Sequence, residues 1–103
     1  MVTFVNKLTV HGDHDAFLAV RARLTAYMSA QPGYISHQNL RALGSENVHL
    51  EIAVWNSAAD HRAAVSSDGF AAIVADLKPL VTAEPAMYVD ENADTPLEAA
   101  GVR

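Results

Sequence analysis

Between Val48 and Trp55 the chain alternates without interruption, and neither side of the alternation is an ordinary solvent face. Val48, Leu50, Ile52 and Val54 make one β-branched and aliphatic side, while His49, Glu51, Ala53 and Trp55 make the other. A period of two is that of a strand, whose successive side chains point to opposite faces of a sheet. One face is apolar and the other is polar with an aromatic ring, so both sides of this sheet need cover. That requirement restricts the chain to layered architectures in which helices protect one face and something else protects the other.

The remaining segments supply the layers. Val2 to Val10 alternates as well: Val2, Phe4, Leu8 and Val10 share a face with one carboxamide, Asn6, and Thr3, Val5, Lys7 and Thr9 take the opposite face. Asp13 is placed to cap a helix, because a side-chain carboxylate accepts from the exposed N–H groups of the first turn. Phe17, Val20, Leu24 and Tyr27/Met28 then recur at helical spacing, with Arg21 and Arg23 off the stripe. Gln31-Pro32-Gly33 ends that helix. Tyr34 to Leu43 reads as a second, weakly amphipathic strand, Gly44 to Asn47 as a turn, and Val48 to Asn56 as the third strand. Ser57 with Asp60 three residues on is a short-armed capping box. Ser66 to Gly69 breaks this helix from another carrying Phe70, Ile73, Val74 and Leu77, and Pro79 ends it. Val81 to Val89 is the last strand, and Pro85 fits an edge or a bulge. The order β-α-β-β-α(α)-β is that of an α+β, ferredoxin-like split βαβ domain with a four-stranded antiparallel sheet. Residues 1–90 form that domain, and 91–103 read as a C-terminal tail, flexible or packed on a partner subunit.

Size and charge narrow the functions. The 103 residues suit one domain, and half of them are hydrophobic. A net charge of −5 repels a phosphate backbone, so no nucleic-acid partner is expected. The absence of cysteine excludes thiol catalysis and thiolate metal sites. No apolar run is long enough to span a membrane, and the first residues do not resemble a signal peptide, so a cytoplasmic protein without membrane contact is expected. The bare apolar sheet face is most simply covered by a second copy, giving a homodimer. There is no GxGxxG, no GxxxxGK[ST] and no GxSxG, which argues against a nucleotide cofactor and a nucleophile elbow.

The chain resembles a known family. The element order, the Asn in the first strand, the PGY after the first helix and the run AVWNSAADHRAAVSSDGF are similar to the antibiotic biosynthesis monooxygenase domain over roughly residues 2–89. The resemblance implies a dimeric α/β barrel with a pocket between sheet and helices in each subunit. It also implies cofactor-free oxygenation of a phenolic, polyketide-like polycyclic aromatic to a quinone by O₂. The family pocket residues fall on Asn6 and Trp55, whereas a third-strand Asn of the family falls on Glu51. That departure replaces two donors with a candidate base. The haem-degrading branch places a Trp and a His at what are here Ala64 and Val74, so no axial imidazole of that kind is expected.

The expected catalytic residues are therefore Asn6, Glu51 and Trp55: a donor to developing enolate charge, a general base and a stacking wall. Glu51 shares a face with Trp55, and under helices its pKa would rise toward the range useful for acid–base work. A carboxylate paired with Arg21, Arg41 or Arg62 is the structural reading of the same residue. Expected substrate-binding residues are His49, Tyr27, Tyr34, Tyr88 and Phe70, with His49 either pairing with Glu51 or lying half-exposed. The five histidines show no HxH or HxxxH spacing, so no metal and no cofactor are expected. A non-redox cyclase or isomerase on the same barrel, or a non-catalytic aromatic-binding dimer, is the alternative.

Overall fold

The order of elements is β1 (Val2–Val10), α1 (His14–Ser29), β2 (Tyr34–Arg41), β3 (Val48–Trp55), α2 (Ala58–Val65), α3 (Asp68–Leu77) and β4 (Val81–Tyr88), with a 3₁₀ turn at Lys78–Leu80 before β4. The structure, a computed structural model, describes residues 1–92. The expected tail therefore lies almost wholly outside the described residues. The four strands form one antiparallel sheet in the order β2-β3-β1-β4. This is the ferredoxin-like arrangement expected from the alternation and the helix stripes.

Three side-chain caps place the helices. Asp13 Oδ1 accepts from the Ala16 amide at 2.8 Å, Ser57 Oγ from Asp60 at 3.1 Å, and Ser67 Oγ from Phe70 at 3.2 Å. Asp60 does not reach the backbone of its cap, as a longer Glu would; its carboxylate accepts from the Ser57 hydroxyl at 3.0 Å instead. Gly33 adopts φ 87°, and a Cβ there would stand 2.4 Å from the Asp60 side chain. The turn into β2 thus needs glycine both for its backbone and for its space.

Strand parity sorts the side chains. On the helix side, Arg41, His49, Leu8 and Ala83 form one row across the sheet, and Asn39, Glu51, Asn6 and Pro85 form the next. His37, Ala53, Phe4 and Met87 follow, then Tyr34, Trp55 and Val2. The main core joins Leu8, Val10 and Val81 of the sheet to Phe17, Val20, Leu24, Ile73 and Leu77 of α1 and α3. Trp55, Val2 and Ala64 of α2 form a second, smaller cluster.

The second strand differs from the sequence reading. β2 stops at Arg41, and Leu43 is fully exposed. Its register also shifts between Tyr34 and Ser36, so Ile35 is an extra residue that reverses parity along the strand. This bulge is why β2 reads as weakly amphipathic. Pro85 lies on β4, an edge strand.

Candidate active site

Helices α1, α2 and α3 cross the sheet without filling the space above its central rows. The result is a cavity of about 430 Å³, within the range of small-molecule sites. Its walls are mostly hydrocarbon and aromatic: Phe4, Met28, Trp55, Phe70 and Val74 contribute side chains from four elements.

Asn6 and Glu51 meet on its floor. They are direct cross-strand partners on β1 and β3, and both line the cavity. Side chains so opposed have Cβ atoms only about 4.5–5.5 Å apart. Asn6 Oδ1 is buried and has no hydrogen-bond partner. An orphaned buried acceptor is costly, and in a native protein it marks a place where a ligand or another polar group completes the set.

Glu51 belongs to no salt bridge, the only ion pair among the described residues being Arg23–Asp76. Burial pushes its carboxyl above the usual 4.5, and the Arg21 guanidinium opposes that rise without reversing it. Of the three arginines available as partners, Arg21 is the one that acts on it, through space. The Arg21 guanidinium itself lies 5.2 Å from the Phe17 ring centroid.

Aromatic groups close the β2–α2 end. Trp55 is 1% exposed, and its ring meets Tyr34 edge-on at 5.7 Å and His61 at 5.4 Å. Burial raises the Tyr34 phenol pKa, and its hydroxyl is hydrogen-bonded to His37 Nδ1. His61 also lies over Phe4 with centroids 4.6 Å apart, and burial lowers its pKa from 6.5. It lines the cavity and is a second titratable group there. The sequence reading gave His61 no role, although Ala58, His61 and Val65 share a helical face that the Ser57 cap orients toward the sheet.

The expected residues divide accordingly. Asn6, Glu51, Trp55, Tyr34 and Phe70 line one cavity; His49, Tyr27 and Tyr88 do not. His49 is 4% exposed rather than half-exposed, because α1 begins over its row and seals it against Phe17 at 5.0 Å and His14 at 5.6 Å. Tyr27 spends its hydroxyl on Ser67 Oγ at 2.6 Å, joining α1 to α3. Tyr88 pairs with Thr3 on the opposite sheet face and is 54% exposed. Among the described residues no three His, Cys, Asp or Glu side chains cluster as a metal would require. No helix among them is long and apolar enough to cross a membrane.

Fold and cavity together define a class: a small α+β domain whose sheet and helices enclose an apolar pocket with a carboxyl–carboxamide pair on its floor. The family model for antibiotic biosynthesis monooxygenase matches residues 1–76, and the chain belongs to that family. It is similar to the deoxynogalonate monooxygenase of Streptomyces nogalater, 38% identical over 99 residues that cover 91% of this chain and 84% of that protein. The crystal structure of SnoaB, a cofactor-independent oxygenase from Streptomyces nogalater, matches with a TM-score of 0.85 at 35% identity, covering 92% of this chain and 97% of that one. A conserved protein from Methanosarcina mazei Go1 matches with a TM-score of 0.80 at 17% identity, over 87% of this chain and 92% of that one, a likeness of fold alone.

Proposed function

We propose that this protein is a cofactor-independent monooxygenase that oxidises a phenolic, polycyclic aromatic substrate to a quinone. The observation that carries the reading is the Asn6–Glu51 pair on the floor of an otherwise apolar cavity walled by Trp55. The likeness to a cofactor-independent oxygenase supports it.

In this mechanism the substrate lies against Trp55, and Glu51 takes the proton that converts an acidic phenol or its keto tautomer into an electron-rich anion. The Asn6 side-chain amide donates to the enolate oxygen, as fixed dipoles do in an oxyanion site. The anion gives one electron to O₂, and the radical pair recombines to a C–O bond, forming a peroxide. Loss of the remaining proton on that carbon, with cleavage of the O–O bond, leaves a carbonyl and water. The oxidant is O₂ and the electrons come from the substrate, so the protein binds, deprotonates and excludes water. Burial raises the Glu51 carboxyl from its usual value, the direction that general-base work requires of a carboxylate. Tyr34 and Phe70 serve as further walls. The working unit is a homodimer formed through the open sheet face.

An oxygen electrode with a panel of anthrones tests the reading. Expected is O₂ uptake by the unmodified protein and quinone formation in equal amount. Tight binding of the phenols without any O₂ uptake would replace the enzyme with an aromatic-binding dimer.

A further inference from the structure

The bulge in β2 gives the cavity a hydrogen-bonded phenol–imidazole pair. In an unbroken strand, residues three apart point to opposite faces of the sheet. Ile35 is the extra residue, so Tyr34 pairs with Trp55, His37 pairs with Ala53, and both return to the helix side. Both line the cavity, and the Tyr34 hydroxyl is hydrogen-bonded to His37 Nδ1. Tyr34 is half-buried against Trp55, whereas His37 is exposed. The pair thus runs from the inner wall of the cavity to bulk water. It also stands beside the floor. Glu51 is the diagonal neighbour of His37 across the β2–β3 ladder, a separation of about 7–8 Å. The other titratable side chains of the cavity are Glu51, His61 and Lys78. None of these is hydrogen-bonded to a second titratable group among the described residues, so only Tyr34 and His37 form a two-group relay.

The oxygenase chemistry leaves work for such a pair. Breakdown of the hydroperoxide is an elimination. A base takes the remaining C–H proton, the C–H electrons become the second bond of the carbonyl, and the O–O bond breaks toward hydroxide. Glu51 can be that base, but a carboxylate collecting a proton at carbon cannot give one to the departing oxygen in the same step. We propose that Tyr34 is the catalytic acid of this step, with His37 positioning it and supplying its proton from solvent. The proposal rests on the oxygenase reading above and divides its proton transfers between two sites. Protonated His37 donates through Nδ1 to the Tyr34 oxygen, which turns the phenol proton toward the cavity. As the O–O bond breaks, that proton passes to the leaving hydroxide, and the His37 proton replaces it on Tyr34. The carbon is oxidised by two electrons and the departing oxygen is reduced to water. Glu51 then loses to solvent the one proton that His37 regains from it. A phenol suffices as the acid because hydroxide is a far stronger base than a phenolate.

The quinone formed per O₂ consumed separates this step from those before it. With anthrone as the probe, the unmodified protein should form quinone as fast as it takes up O₂. In Tyr34→Phe and in His37→Ala the initial rate of quinone formation should fall about a hundredfold behind O₂ uptake, the low end of a general acid's worth. The difference should be recovered as peroxide titratable with iodide. Added imidazole should restore quinone formation in His37→Ala, whose exposed site admits it, and should do nothing for Tyr34→Phe. Melting points check that the variants fold, and exposed His37 remains the usable position should Tyr34→Phe loosen the contact with Trp55. Quinone that keeps pace with O₂ in both variants overturns the role of the pair and leaves the oxygenase in place. A defect in His37→Ala that imidazole does not reduce overturns the relay, and uncoupling in His61→Phe alone moves the acid to His61. If the unmodified protein takes up no O₂, the oxygenase reading fails and this step fails with it.

Discussion

Glu51 concentrates the chemistry of the site and its cost in one side chain. Its folded pKa is raised by burial, so the folded protein holds this proton more tightly than the unfolded chain does. The stability linked to Glu51 is therefore full below its ordinary 4.5 and is lost as the pH rises through the raised folded value. Glu51→Gln removes that loss. Thermal melts should show the variant gaining over the parent at pH 8 and not at pH 4. The same change should lower turnover of an acidic phenol by about two to four orders of magnitude, the usual worth of a general base. A destabilising group kept at an active site is the common exchange of stability for activity. Asn6→Ala should cost about one to three orders if it supplies one hydrogen bond to developing charge. Trp55→Phe should mainly weaken binding, because stacking serves ground state and transition state alike. Glu51→Asn is the sharper comparison, since it restores the carboxamide that the family resemblance places there. Activity unchanged or increased in Glu51→Asn would show that the substrate ionises without the carboxylate.

The elements carry a different vulnerability, where α1 begins over β3. His49 is buried there with Nε2 unpartnered, and His14 Nε2 is also buried and unpartnered. Burial chiefly, then Arg21, and more weakly His14 and Arg41, lower the His49 pKa from 6.5, against a backbone hydrogen bond to Glu46 that raises it. The stability linked to a depressed imidazole is full above about 6.5 and is lost as the pH falls through the folded value. Denaturant midpoints should drop on acidification below pH 6.5, and His49→Leu should flatten that limb. Gly69 tests the other junction: a Cβ would stand 2.5 Å from the Tyr27 ring, so Gly69→Ala should cost about 1–3 kcal/mol in unfolding free energy as an overpacked contact. These elements were legible in the sequence because burial imposes a period, 3.6 in Phe17, Val20 and Leu24 and 2 in β3. Asn6, Glu51 and Trp55 could be placed on one side of the sheet by parity and resemblance alone. Whether a residue on that side meets cavity or helix depends on where each helix crosses. His49 and Glu51 share a face, yet α1 covers His49 and leaves Glu51 open to the cavity. Tyr88 was misplaced for a simpler reason, since it has the parity of Glu84 and Ala86, which belongs to the open face. His61 was missed because a short helix with few large apolar residues shows little stripe.

At the scale of the whole molecule, the decisive feature is the sheet face that no helix covers. Val5, Leu50, Ile52 and Val54 lie on it, flanked by Leu40 and Tyr88, which are 40% and 54% exposed. Their strand positions make the patch contiguous across all four strands, and contiguous apolar surface of this kind marks an association site. Lys7 and Glu84 stand opposite one another on the same face. A two-fold contact is self-complementary, so it can bury the aliphatic centre of the patch against its own copy. We therefore expect a dimer at micromolar concentration, with a melting temperature that rises with protein concentration as mass action requires. Paired charges, Leu50→Lys with Ile52→Glu, should give monomer or aggregate by light scattering and lower the melting temperature. The cavity lies on the opposite side of the same sheet, so the floor residues Asn6 and Glu51 alternate with the interface residues Val5, Leu50 and Ile52. Loss of the dimer should then disturb the register that brings Asn6 and Glu51 together, and oxygen uptake should fall with it. A clean, soluble monomer of the unmodified chain with full activity would count against this assembly and against any coupling between the two faces.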